Sequence, residues 1–121
     1  MARVMIADDS ESVRIMLKDI VSVDKHELVA EAGDGVETIE KFTASKPDVL
    51  LLDVVMPKKD GLTALKEIKK THPNAKIIMI TALEDMTMIQ DCVAAGALAY
   101  ITKPFVVDDV LKSISFAVKE N

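Results

Sequence analysis

Five times along the chain, a short apolar run is followed by a segment whose apolar residues recur every three or four positions. Runs of four or five apolar residues are strand-length, and the recurring pattern is that of an amphipathic helix. The predicted strands are Val4–Ala7, Leu28–Ala32, Val49–Asp53, Lys76–Ile80 and Leu98–Thr102. Val13, Met16, Leu17, Ile20 and Val21 mark the first helix. Val36, Ile39 and Phe42 mark the second, with Asp34 as its N-cap and Pro47 beyond its end. Leu62, Leu65 and Ile68 carry the third, stopped near Pro73, and residues 85–95 form the fourth, closed by Gly96. Val107, Val110, Leu111, Ile114 and Val118 mark the fifth, with Val107, Val110, Ile114 and Val118 facing inward. Strands separated by helices require crossover connections, which are right-handed and give a parallel sheet covered on both faces. The fold class is α/β: a flavodoxin-like, doubly wound (βα)5 chain with a five-stranded parallel sheet.

With 121 residues, the chain forms one domain, residues 1–121, large enough to bury a core. Half of it is hydrophobic but only 3% is aromatic, so the core is built from aliphatic side chains and methionine. Nearly all of the seven methionines read as core filler or the initiator. A net charge of -5 is the wrong sign for a nucleic-acid surface. The single cysteine, Cys92, excludes an internal disulfide, and His26 and His72 lack metal-type spacing. No apolar stretch is long enough to span a membrane, and the start lacks a signal-peptide pattern. The chain reads as compact, complete and cytoplasmic.

The polar residues stand at the strand ends: Asp8-Asp9 after the first, Asp53 after the third, Thr81 after the fourth, and Thr102-Lys103-Pro104 after the fifth. In an open parallel sheet, sites form outside the carboxyl ends of the strands, where strand order reverses. The order 2-1-3-4-5 would put strands one and three side by side and gather Asp8, Asp9 and Asp53 in one pocket. Taken singly, each has an ordinary role: Asp9 as the cap of the first helix, Lys103 as a turn residue. Together they call for a cation, since two carboxylates a few ångströms apart repel by about 4 kcal/mol at an effective dielectric near 20. Hard oxygen donors suit Mg²⁺ (or Mn²⁺), not zinc. A carboxylate beside such an ion is a competent nucleophile toward phosphorus. Asp53, alone at the end of the most apolar strand, is the candidate nucleophile; the Asp8–Asp9 pair suits metal holding.

With Asp8-Asp9, Leu52-Asp53, Met56-Pro57, Gly61, Thr81-Ala82 and Lys103-Pro104-Phe105 in these places, the chain resembles the receiver domain of two-component response regulators over essentially its whole length. The type it resembles most is the stand-alone CheY-like regulator, whose sheet order is 2-1-3-4-5, so that order comes with the resemblance. The resemblance implies that Asp53 accepts a phosphoryl group from a sensor histidine kinase or a small acyl phosphate. It implies Asp9, Asp53 and the backbone carbonyl of Val55 as metal ligands, with Asp8 acting through water. Lys103 would pair with the phosphoryl group, and the Lys103–Pro104 bond would be cis, which proline tolerates. Thr81 would be the switch hydroxyl and Tyr100 the switch aromatic. Val55 and Leu83 would line the path of the hydrolytic water; both are apolar, which implies a long-lived phosphoryl group.

Apart from that resemblance, 100° per residue places Phe116 opposite the core-facing side of the last helix. Met86, Ile89 and Tyr100 would extend it into a partly apolar output face of the fourth helix, fifth strand and fifth helix, contacting a downstream protein or, on phosphorylation, a second copy. Two other readings share the sheet but lack their residues. An aspartate-based phosphohydrolase would carry a second acid where Val55 stands, and a cap insertion. A flavin mononucleotide binder would need a phosphate-cradling loop where Asp8-Asp9 stands. The same sequence also fits a receiver cut from a longer regulator, ending Val118-Lys119-Glu120-Asn121 just after the last helix.

Overall fold

A computed structural model describes residues 1–119; Glu120 and Asn121, at the expected domain end, lie outside the described residues. The elements are β1 (Arg3–Ala7), α1 (Glu11–Val23), β2 (Glu27–Ala32), α2 (Gly35–Ser45), β3 (Val49–Leu52), α3 (Gly61–Thr71), β4 (Ile77–Thr81), α4 (Met86–Ala94), β5 (Ala99–Thr102) and α5 (Val107–Lys119). The five strands are all parallel, in the order β2-β1-β3-β4-β5.

Alternation along the strands divides the core in two. Met5, Ala7, Leu50, Leu52, Ile77 and Met79 point to one side and pack with Phe42, Leu65, Ile68 and Cys92 of α2, α3 and α4. Val4, Ile6, Val49, Leu51, Ile78 and Ile80 point to the other and pack with α1 and α5 through Leu17, Ile20, Val110 and Ile114. Both faces are therefore covered, and β3 is apolar throughout, as are β1 after Arg3 and β4 up to Thr81, because neither side meets water.

The helix faces differ from expectation at three positions. Met16 is 53% exposed and belongs to no core cluster, and Val36 and Val107 are exposed too. In α1, Val13, Leu17, Ile20 and Val21 already cover the sheet, and Met16 falls on a flank left uncovered. Val36 and Val107 lie in the first turns of α2 and α5, and Ala117 takes the buried place near the end of α5. Asp34 does cap α2, accepting from the Glu37 amide at 2.7 Å. Asp9 does not cap α1. Ser10 does, its hydroxyl accepting from the Val13 N–H at 3.3 Å, which leaves the Asp9 carboxylate exposed at the rim.

Candidate functional site

The sheet continues its hydrogen bonding one residue past the strand ends, and this places the acids. The Asp8 N–H donates to the Ala32 carbonyl at 3.0 Å, the Asp53 N–H to the Ala7 carbonyl at 3.0 Å, and the Lys103 N–H to the Thr81 carbonyl at 2.8 Å. Adjacent β1 and β3 thus deliver their terminal aspartates to one point: one carboxylate oxygen from each of Asp8, Asp9 and Asp53 lies within 4.8 Å of the others. Asp8 and Asp53 are 1% and 5% exposed, while Asp9 faces solvent.

Two buried carboxylates this close need a counter-charge. Lys103 supplies it, with its Nζ 2.7 Å from Asp8 Oδ2 and 3.2 Å from Asp53 Oδ2. Burial pulls the lysine pKa down, but the hydrogen bond to Asp8 and the charges of Asp53 and Asp8 outweigh it, so the ammonium titrates above the ordinary lysine range. The Asp8 carboxyl moves up. Burial dominates there, and the Asp53 charge adds to it, against hydrogen bonds from Lys103 and the Ser10 N–H. Lys103 is shared between two acids and cannot satisfy three. An all-oxygen donor set still in excess of negative charge fits a hard divalent cation.

Of the other expected residues, Val55 is hydrogen-bonded to the cluster itself. Val55 donates its N–H to Asp53 Oδ1 at 3.3 Å, and the residue is 55% exposed. Thr81 is fully buried at the end of β4. Tyr100 donates its hydroxyl to the Leu83 carbonyl at 2.7 Å, tying β5 to the β4–α4 loop, and its ring packs with Leu83 and Met88 against the core. The Lys103–Pro104 peptide is cis. Met86 and Phe116 are exposed, Ile89 only partly so.

Two residues of the site escaped sequence reasoning. Arg14 donates from Nη1 to the Asp8 carbonyl at 2.6 Å and from Nε to Glu31 at 3.1 Å, bracing the β1–α1 turn against β2. Ser10 donates its N–H to Asp8 Oδ1 at 2.9 Å while capping α1. Ser10 had a legible signal, a cap-forming residue immediately before a helical stripe. Arg14 had none, because its partner Glu31 lies seventeen positions away.

Residues 4–115 match the response regulator receiver domain family. The chain is 43% identical over 113 residues to the chemotaxis protein CheY of Bacillus subtilis, covering 93% of this chain and 94% of that one. Among solved structures, CheY in a CheX-CheY-BeF3-Mg complex from Borrelia burgdorferi superposes with a TM-score of 0.92 at 33% identity, covering 96% of this chain and 88% of that one. The response regulator domain of Thermotoga maritima CheB superposes with a TM-score of 0.91 at 34% identity, covering 97% and 96%. With its strand order, its acid-lined rim and these likenesses taken together, the chain belongs to the receiver domain family of two-component response regulators.

Proposed function

We propose that Asp53 is the phospho-acceptor of this receiver and that a divalent cation, Mg²⁺ or Mn²⁺, sits among Asp9, Asp53 and the Val55 carbonyl, with Asp8 acting through water. The observation that carries this is Lys103 bridging two buried carboxylates, 2.7 Å from one and 3.2 Å from the other. A cation already stands where charge on a transferring group would need neutralising. When bound, the divalent ion adds to that neutralisation on the phosphoryl oxygens. An Asp53 carboxylate oxygen attacks phosphorus. The bond from phosphorus to the donor breaks, and its electron pair leaves with the histidine imidazole or acyl carboxylate. The chain needs no other catalyst for the step, so it phosphorylates itself from either donor.

The new dianion then offers acceptor oxygens close to the Thr81 hydroxyl. Engaging it draws the end of β4 toward Asp53 and frees the Tyr100 ring to turn. The result is a change in the α4-β5-α5 face, where Met86, Tyr100 and Phe116 stand, and in its affinity for a downstream protein or a second copy. The phosphoryl group biases an existing equilibrium by binding one state better.

Mass spectrometry of the intact chain after incubation with acetyl phosphate tests this. One phosphoryl adduct is expected with Mg²⁺ and none with the metal chelated; an adduct indifferent to chelation sinks the metal role. Following decay of the adduct in the same samples tests a second point. The exposed Val55 and partly buried Leu83 offer water no polar partner, so Val55→Asn with Leu83→Glu is expected to shorten the lifetime about tenfold. An unchanged lifetime would show that these side chains do not orient the water.

A further inference from the structure

The loop from Asp53 to Asp60 joins β3 to α3 and carries the Val55 carbonyl. It is pinned at its far end, where the Gly61 N–H donates to the Val54 carbonyl at 2.6 Å. Its middle rests on a different element. Gly35, the first residue of α2, donates its N–H to the Pro57 carbonyl at 3.3 Å. A Cβ at Gly35 would overlap the Lys59 carbonyl and the Lys59 Cβ. Beside this contact, Lys58 Nζ lies 3.6 Å from Asp34 Oδ2, the cap of the same helix. Gly35 has no positive φ, so helix geometry alone would accept alanine there. What excludes a side chain is the backbone of the loop.

We propose that Gly35 is a positioning residue of the metal site. By letting the Pro57 and Lys59 backbone lie directly against the start of α2, it sets where the Val55 carbonyl stands relative to Asp53. This rests on the reading that Val55 and the three aspartates hold a divalent cation.

The test is a Mg²⁺ titration of the folded chain by amide NMR, alongside its melting temperature without metal. Gly33→Ala is the control, because a Cβ there meets only the Arg14 Nη1 at 3.5 Å, an ordinary contact in the same turn. Gly35→Ala is expected to weaken Mg²⁺ binding about tenfold, the scale seen when groups supporting metal ligands are removed. Gly33→Ala should bind as the wild type does. Equal affinity in wild type and Gly35→Ala, or an equal loss in both variants, overturns the proposal. The wild type supplies an independent arm should Gly35→Ala fail to fold: its Gly35 amide signal should shift with the same Mg²⁺ dependence as that of Val55. A Gly35 signal that stays still while the Val55 signal moves also overturns the proposal. A wild type that binds no Mg²⁺ overturns instead the reading of the site on which the proposal rests.

Discussion

Asp53→Asn is expected to give no phosphoryl adduct from acetyl phosphate under conditions that fully modify the wild type, while folding as well or better. The amide keeps one acceptor oxygen, which can take either the Lys103 ammonium, 3.2 Å from Asp53 Oδ2 in the native site, or the Val55 N–H, 3.3 Å from Oδ1, but not both. The amide is no nucleophile toward phosphorus, and no other acid of the cluster is expected to replace it: Asp9 faces solvent, and Asp8 is the acid held more tightly by Lys103, at 2.7 Å against 3.2 Å for Asp53. Stability without metal should rise by up to about 1 kcal/mol, since the substitution removes one of two buried like charges while Lys103, losing its 3.2 Å pair with Asp53, keeps the shorter 2.7 Å pair with Asp8. Intact mass and thermal melting read both outcomes. An undiminished adduct on Asp53→Asn would place the acceptor elsewhere, and a strongly destabilised variant would show that Asp53 is held for the fold.

Lys103→Met should act in the opposite direction. It leaves Asp8 and Asp53 buried with no ammonium between them, and removing one partner of such a group costs about 3–5 kcal/mol. The pH dependence has a definite sign. The raised Lys103 pKa means that its contribution is whole below the ordinary lysine range and is lost as pH rises through the higher native value. Asp8 is raised as well, so the native state favours its protonated form, and its ionisation works against folding as pH rises. Without Lys103, two of the pulls that hold Asp8 down are gone and its pKa climbs further. The gap in stability between wild type and Lys103→Met should therefore be wide at pH 7 and narrow on acidification, as Asp8 takes up a proton. Urea melts at several pH values measure it. A gap that does not change with pH would mean that Lys103 stabilises the chain by packing rather than by charge.

The parts of this molecule that were legible in its sequence are those governed by local pattern. A strand buried on both faces must be apolar throughout, so Val49–Leu52 stood out, and the first polar residue after it is the candidate acceptor. Strand limits moved by about one residue, as with β4 beginning at Ile77 rather than Lys76. Helix stripes were legible as apolar but not as buried. Met16 shows why: periodicity says which side a residue is on, whereas burial depends on whether a neighbouring element reaches that far. The same limit applies to the site. Its acids stand at strand ends and could be read there, but the Lys103–Asp8 pair spans 95 positions and the Arg14–Asp8 contact depends on how the first turn folds back. Asp9 looked like a cap because aspartate favours that place; Ser10, one residue on, fills it and leaves the acid free.

The most direct test of the proposed magnesium-assisted acceptor at residue 53 is a crystal structure grown with Mg²⁺ and beryllium fluoride. It should show the fluoride adduct on an Asp53 oxygen, the metal touching Asp9, Asp53 and the Val55 carbonyl, and Lys103 turned from Asp8 toward the adduct. A metal bound away from these oxygens, or an adduct on any other side chain, would contradict it.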